Sequence, residues 1–451
     1  MSKLFGTDGI RSRAGAFPLD RETVRIIGYA LTQRFQGTDG DGTRLVTGRD
    51  TRESGAEIER SIHKGIAAAG GEAVSAGVIT TPGIAFLAAR GKVNAGIVIS
   101  ASHNQFEDNG IKIFLPNGRK LDGGSEAFIE RNVEAKIKVP EVEIEFDDSG
   151  AGALQSRYLQ HFGTDFALLD LDGLKVIADC ANGAASFLAP LLFRKFGGEF
   201  ATINAEPDGR NINRDCGSLH LEHLRLAVLE SGADIGIAFD GDADRALFVD
   251  EEGDVVDGDA VLWIMANYLR EREILVGDTV VATVMSNIGL EIALKEIGVA
   301  LVRTDVGDKY VLGELVSSGA SLGGEQSGHI IFPSRSLVGD GMQTALFVLE
   351  AMTESGRTLS ELAEGFVSFP QVLVNVRVRE KIPFDEIGKV SALAGDIESE
   401  LDGTGRLLLR YSGTENLARV MIEGRDQNEI EELAEKLAGA IRLEIGEENG
   451  E

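Results

Sequence analysis

Apolar and polar positions alternate along the first third of the chain in short blocks that read as strands and helices in turn. Arg44 to Gly48 is a short apolar strand running into the polar loop Gly48-Arg49-Asp50-Thr51-Arg52. Ile58, Ile62, Ile66 and Ala67 recur at close to helical spacing and predict a helix capped by Ser54. Glu72 to Val78 reads as β, Thr80 to Ala89 as helix, and Ala95 to Ser100 (AGIVIS) as a buried strand; after a polar loop the chain returns as Ile111 to Leu115.

A second block opens near Leu174 with LKVIADC, continues through a helix around Phe187 to Phe196 and reaches a strand at Asp234 to Phe239. A third starts near Asp259 with the apolar helix AVLWIMANYL. It carries strands at Thr279 to Met285 and Ala300 to Arg303, then a helix around Tyr310 to Val316. Three βα-rich blocks of similar size suggest repetition of one fold, although no sequence period marks it. The last block differs: strand Val372 to Val378, helix Phe384 to Leu401, strands Arg406 to Arg410 and Ala418 to Glu423, and a helix from Asn428. This order predicts an α/β protein of four domains, 1–150, 151–257, 258–368 and 369–451, the last a compact α+β domain.

Composition narrows the chemistry. At 451 residues the chain is too long for one core. Its 56 glycines against 9 prolines suit many strand-to-helix turns rather than a disordered chain. A net charge of −29 repels nucleic acid and anionic lipid, so neither is expected as a partner. It also repels phosphorylated substrates at long range, so phosphate chemistry here requires local arginines, backbone amides or a bound cation. Cys180 and Cys216 are too few for a disulfide framework. The opening residues hold no apolar leader, and no apolar run approaches the ~18 residues of a membrane span. A soluble, cytoplasmic protein is the expectation.

Ligands of open α/β sheets gather at the carboxyl ends of strands, so the polar loops that follow strands carry the candidate chemistry. Ser100-Ala101-Ser102-His103-Asn104 follows AGIVIS: Ser102 beside a histidine can be a nucleophile, or the segment can be a turn whose Ser and Asn satisfy the backbone. Asp240-Gly241-Asp242-Ala243-Asp244-Arg245 follows IGIAF, and alternate residues of an extended segment point the same way, so three carboxylates converge. That arrangement is costly without a cation, and oxygen ligands suit Mg²⁺ or Ca²⁺. An EF-hand is excluded, because Arg245 stands at the sixth position and strands flank the loop. Few protein ligands leave positions open for phosphoryl oxygen, which favours Mg²⁺. Gly323-Gly324-Glu325-Gln326-Ser327-Gly328-His329 offers groups that sugar hydroxyls want, or is a β-turn. Arg410-Tyr411-Ser412-Gly413-Thr414-Glu415, with Arg419 in the next strand, makes either a phosphate cradle or a surface salt-bridge cluster. No nucleotide-binding glycine loop is present. His220 and His223 read as an exposed helix face, and His63 and His161 have no recognisable context.

Taken together and in order, these loops resemble the α-D-phosphohexomutase superfamily. The resemblance extends to LFGTDGIR, GRDTR-x-SG (48–55), DNGIK (108–112), PDGRNIN with CGS (207–218), TVMSN, VGDKYVL, GDG, PQVLVNV and R-x-SGTE-x-x-x-RVM, essentially the whole chain. PDG-x-NIN, GEQSGH and SGTE resemble the branch acting on amino sugars rather than the glucose and mannose branches. The resemblance implies three related mixed α/β domains and a C-terminal domain like the TATA-binding protein. It implies conversion of glucosamine 6-phosphate to glucosamine 1-phosphate on the way to UDP-N-acetylglucosamine. The implied route uses a phosphorylated Ser102, with a 1,6-bisphosphate of glucosamine or glucose as activator. Ser102, Asp240, Asp242 and Asp244 are implied to bind one Mg²⁺. Glu325 and Ser327 are implied to hold ring hydroxyls, and Arg410, Ser412, Gly413, Thr414 and Arg419 the non-reacting phosphate.

For the chemistry itself, Arg11 and Arg245 are expected to stabilise the transferring oxygens. Lys112, its pKa depressed by metal and burial, is the first candidate for the base, followed by His329 and His103. A homodimer is compatible with the resemblance. A glucose- or mannose-phosphate mutase, a phosphatase and a phosphosugar-binding protein without turnover are the alternatives. The chain departs from its relatives in Gln105, where Pro commonly follows SHN, and in Tyr411 and Asn416, at positions often Pro; both departures loosen local backbone constraint.

Overall fold

The computed structural model describes residues 3–6, 8–36, 42–401, 403–412 and 415–447. The chain divides into two compact units. One comprises the chain up to Met285 together with Gly298–Glu364, the other Ser286–Ile297 and the chain from Gly365 onward.

In the first unit the opening block holds strands β1 (Ile10–Arg13), β2 (Arg44–Arg49), β3 (Glu72–Val78), β4 (Ala95–Ile99) and β5 (Asp108–Phe114). Helices α1 (Arg21–Phe35), α2 (Gly55–Ala68), α3 (Thr81–Arg90) and α4 (Gly123–Glu134) accompany them. The sheet order is β1-β5-β4-β2-β3, with β4, β2 and β3 parallel and β5 and β1 antiparallel. Every residue of β4 is buried, as expected of a central strand covered on both faces. The second block runs α5 (Ala151–Asp165), β6 (Lys175–Asp179), α6 (Ala185–Phe193), β7 (Glu199–Ile203), α7 (Glu222–Ser231), β8 (Ile235–Phe239), β9 (Ala246–Asp250) and β10 (Val255–Val256), in the order β10-β9-β8-β6-β7.

The third block runs α8 (Gly258–Glu271), β11 (Thr279–Thr283), α9 (Ile288–Glu296), β12 (Ala300–Thr304), α10 (Asp308–Ser318), β13 (Gly323–Gly324) and β14 (Ile330–Ile331), then α11 (Gly341–Ser355) and α12 (Leu359–Ala363), with sheet order β12-β11-β13-β14. In each sheet the third parallel strand (β4, β8, β13) lies beside the first (β2, β6, β11), with the second (β3, β7, β12) outside. An antiparallel strand (β5, β9, β14) returns along the third. The repetition that no sequence period showed is therefore a repetition of strand order.

The second unit contains α9, β15 (Gln371–Arg377), α13 (Gly388–Leu401), β16 (Arg406–Tyr411), β17 (Leu417–Glu423) and α14 (Gln427–Ile445). Its antiparallel sheet is ordered β15-β17-β16, and Val390, Ile397, Leu433, Leu437 and Ile441 bury the helices against it. Residues 286–297 read along the sequence as part of the third block. They belong to this unit because Asn287 exchanges hydrogen bonds with Phe369, both at 2.9 Å, and the Ile288 amide donates to Glu423 at 3.2 Å. These are long-range contacts, which periodicity does not register.

Two local expectations change. Ser54 stands at the start of α2 but does not cap it: its backbone is helical (φ −73°, ψ −17°), and its hydroxyl instead accepts from Asn109 Nδ2 at 2.9 Å. His63 closes a buried polar cluster, its Nε2 being 2.8 Å from Thr47 Oγ1, which donates to Glu59 at 2.6 Å. Burial, aided by Arg49, lowers the His63 pKa to about 4. The unfolded chain, with a pKa near ~6.5, then takes up the proton first, so stability falls as pH drops through the window from ~6.5 to ~4. Thermal unfolding across pH 7.5 to 5 checks this. His63→Gln is expected to be less stable than wild type at pH 7.5, but to lose roughly 1–3 kcal/mol less on acidification. Equal slopes would contradict the assignment.

Candidate active site

Three loops of the first unit occupy one topological position, between the third parallel strand and the antiparallel return. These are 100–107 between β4 and β5, 240–245 between β8 and β9, and 325–329 between β13 and β14. Each contains a residue in the left-handed region, where a side chain is strained: Ser102 (φ 52°), Ala243 (φ 53°) and Gly328 (φ 89°).

The structure brings the first two loops into contact. Ser102, 1% exposed, donates from Oγ to Asp240 Oδ2 at 2.6 Å. Gly241 makes this approach possible, since a Cβ there would lie 2.5 Å from the Ser102 carbonyl oxygen. Asp240, Asp242 and Asp244 are buried, and one carboxylate oxygen of each lies within 4.8 Å of the others. Burial, with the charges of Asp244 and Asp242, raises the Asp240 pKa well above the ordinary carboxylate range. Asp242 Oδ1 and Asp244 Oδ1 are buried without a hydrogen-bond partner. Orphaned carboxylate oxygens in a like-charged trio fit a hard divalent cation, and the residues present can hold one.

Lys112 enters this cluster from β5. Its Nζ lies 2.9 Å from Asp242, 3.0 Å from Asp244 and 3.2 Å from Asp8. Against the expected depression, burial opposes the charge but the three carboxylates by themselves outweigh it and raise the pKa well above that of a free lysine. His103, Nδ1 3.4 Å from Ser102 Oγ, behaves oppositely: burial, then Arg245 and Arg11, lower its pKa to about 4, leaving a neutral imidazole. His329 Nε2 accepts from the Gly339 amide at 3.1 Å, which puts the proton on Nδ1, 3.7 Å from Asp244 Oδ1. Burial opposes its protonation, but Asp244 raises its pKa on balance.

Arg245 lies 3.8 Å from Asp244 and is held as a cation against burial by Asp244, Asp240 and Glu325. Arg11 donates to Asn104 Oδ1 at 3.3 Å and to Asp8 at 3.4 Å. In the 325–329 loop, Glu325 accepts from the Gly307 amide at 3.1 Å and from Ser327 Oγ at 3.4 Å. That loop abuts the aspartate loop, where the Ala246 amide donates to the Gly328 carbonyl at 3.1 Å.

In the second unit, Arg410 and Arg419 are direct partners across β16 and β17. Burial and the Arg419 charge lower the Arg410 pKa, and Arg419 Nε is buried without a hydrogen-bond partner. Like charges paired across strands are unfavourable unless an anion joins them. Ser412 is buried at the end of β16 and accepts from the Glu415 amide at 3.4 Å. Gly413 and Thr414 lie outside the described residues.

Sequence reasoning passed over Asp8, Thr81, Lys120 and Asp308. Thr81 donates to Asp242 from both its amide, at 3.0 Å to the carbonyl, and its hydroxyl, to the carboxylate. Lys120 pairs with Asp8 and Asp308. Asp8 and Asp308 lie within the motifs LFGTDGIR and VGDKYVL, which could have flagged them; Thr81 has no local signal.

Four sequence families match in chain order. They are described as the alpha/beta/alpha domains I, II and III and the C-terminal domain of phosphoglucomutase/phosphomannomutase, at residues 2–139, 156–253, 257–369 and 373–440. The phosphoglucosamine mutase of Solibacter usitatus is 47% identical, over 98% of this chain and 99% of its own. That of Citrifermentans bemidjiense is 44% identical over 99% of each. The chain belongs to the phosphoglucosamine mutase family. With that family it falls among the phosphohexomutases, which are isomerases. A phosphoglucomutase/phosphomannomutase family protein from Burkholderia thailandensis shares the fold at TM-score 0.80 and 26% identity, covering 98% of both chains. The N-acetylphosphoglucosamine mutase of Aspergillus fumigatus, solved with GlcNAc-6P and magnesium, shares it at TM-score 0.64 and 18% identity, covering 97% of this chain and 95% of its own. No helix among the described residues is long and apolar enough to cross a membrane.

The repulsion within the trio gives a direct test. Protein stripped of metal should unfold at higher temperature once Mg²⁺ is added, by about 2.7 kcal/mol at a hundred times the dissociation constant. Asp240→Asn should raise the metal-free unfolding temperature and abolish most of the Mg²⁺ effect. An unchanged Mg²⁺ response in that variant would remove Asp240 from the site.

Proposed function

We propose that the protein interconverts glucosamine 6-phosphate and glucosamine 1-phosphate by way of phosphorylated Ser102 and a 1,6-bisphosphate. The observation that supports this most is Ser102 Oγ at 2.6 Å from Asp240, one of a buried aspartate trio, in a chain 47% identical to a phosphoglucosamine mutase. Asp240, Asp242, Asp244 and the Ser102 oxygen would hold one Mg²⁺. When bound, the cation supplies charge neutralisation for the transferring phosphoryl group and the serine oxygen.

The chain's own groups do the rest. Phosphoryl transfer depends on in-line placement and on neutralising spread charge, and Arg245, Arg11 and the Lys112 ammonium supply fixed positive charge at the reacting end. The proton of the attacking sugar hydroxyl must end on the serine oxygen. Neutral His103 lies at that oxygen and is the preferred acceptor; Lys112 supplies charge rather than a base, and the Nδ1–H of His329 faces Asp244. Glu325 and Ser327 would bind ring hydroxyls. Arg410 and Arg419, with Ser412, Gly413 and Thr414, would bind the phosphate that does not react. A trace of glucosamine or glucose 1,6-bisphosphate would load the serine. Two free cysteines, both buried, accord with a reducing cytoplasm.

The experiment compares kcat/KM for glucosamine, glucose and mannose phosphates, with a trace of sugar bisphosphate present. The amino sugar is expected to lead by at least ~10-fold, about 1.4 kcal/mol of transition-state preference. A hexose phosphate in first place would make the protein a glucose or mannose phosphate mutase, and release of inorganic phosphate would make it a phosphatase. Ser102→Ala should lower kcat by at least ~10²-fold and lose one covalent phosphate by intact mass; near-normal turnover would end the phosphoserine proposal.

A further inference from the structure

Two motifs have no part in the chemistry so far: GRDTR at 48–52 and PDGRNIN at 207–213. Both converge on the backbone of the serine loop. Arg52 is 2% exposed, and its guanidinium faces carbonyl groups, not solvent. Nη2 donates to the carbonyls of Ser102 at 3.0 Å and Asn104 at 2.8 Å, and Nη1 to those of Gln105 and of Asp108, the latter at 3.1 Å. Nε donates to Asp50 at 2.9 Å. A guanidinium has five N–H donors, and these bonds use all of them, so none is left for a substrate phosphate. From the other side, Asn213 Nδ2 donates to the same two carbonyls, Ser102 at 2.8 Å and Asn104 at 2.9 Å. Asp50 completes the frame by accepting from Ser100 Oγ at 2.6 Å, which in turn accepts the Ser102 amide at 2.9 Å.

We infer that Arg52 and Asn213 are positioning residues for the reacting serine, a two-sided clamp that fixes residues 102–105 so that Ser102 Oγ faces the aspartate trio. Two observations call for such a clamp. Ser102 has φ 52°, which an L-residue leaves readily unless its surroundings hold it. With Gln at position 105 the loop lacks the constraint a proline ring would impose; it is the Gln105 carbonyl that Arg52 takes up. The neighbours of Arg52 serve a different purpose. Thr51 Oγ1 donates to the Asn182 carbonyl at 2.6 Å, and the Glu53 amide to the Gly209 carbonyl at 3.0 Å, which join the first block to the second without touching the serine loop.

The inference rests on the mutase reading, and the test separates the two. In full-length, Mg²⁺-loaded protein, kcat and KM for glucosamine 6-phosphate are measured on the phosphorylated form, and the rate at which glucose 1,6-bisphosphate loads phosphate onto the chain is read by intact mass on the dephosphorylated form. Asn213→Asp keeps the shape and tolerates the left-handed backbone of position 213 (φ 56°), but sets an acceptor against two carbonyls. Arg52→Lys keeps the charge but cannot reach all the acceptors. Each is expected to lower kcat and the loading rate by at least ~10-fold with KM within ~3-fold, while Thr51→Val stays within twofold of wild type. Full activity in Arg52→Lys and Asn213→Asp overturns the clamp. So does a loss that merely tracks the unfolded fraction measured by thermal melting, which would make the residues structural only. A wild type that loads phosphate but does not isomerise the sugar overturns the mutase reading and leaves the loading rates to judge the clamp; a wild type that does neither overturns both.

Discussion

Three carboxylates buried within 4.8 Å of one another set the terms for everything around them. Without compensation such a trio would protonate or spread apart, and the upward push on Asp240 records that strain. The compensation visible in the chain comes from several directions: the cations Lys112 from β5 and Arg245 from the end of the aspartate loop itself, and the Nδ1–H of His329 from the third block. Even so, two carboxylate oxygens keep no hydrogen-bond partner. Those unsatisfied oxygens leave the trio able to hold a divalent ion, and its Asp240 lies against the hydroxyl of Ser102. A group that both attracts a cation and presents an oxygen to it suits the handling of a phosphoryl group.

The fold brings these groups together by repetition. Serine, aspartate and sugar loops each follow the third parallel strand of their sheet and precede its antiparallel return. One architectural position therefore carries all three candidate loops. A left-handed residue in each loop turns the chain sharply enough to present side chains at the strand end. The second unit carries its candidate loop differently, between β16 and β17, where Arg410 and Arg419 face each other across the strands.

Much of this was legible along the chain. Short apolar runs gave the central strands, because β4 and β8 are buried on both faces and must be apolar throughout. The aspartate loop was legible because alternation in an extended segment is a local property. What escaped was non-local. Strand order makes the three blocks repeats, yet it leaves no period in the sequence. The place of α9 depends on hydrogen bonds to residues about 80 to 135 positions away, such as Asn287 to Phe369 and Ile288 to Glu423. Lys112 was read as a base depressed by metal and burial; the three carboxylates that hold its charge come from Asp8 and from the aspartate loop far along the chain. Thr81, which ties α3 to Asp242, carries no local mark at all.

The central claim is that the serine oxygen and the aspartate trio form one cation site. Electron–nuclear double resonance on protein loaded with Mn²⁺ in place of Mg²⁺, and phosphorylated by a sugar bisphosphate, tests it most directly. The account predicts a ³¹P hyperfine coupling from a directly bound phosphoryl oxygen, lost on Ser102→Ala while the Mn²⁺ signal persists. Bound Mn²⁺ without phosphorus coupling in the fully phosphorylated protein would contradict it.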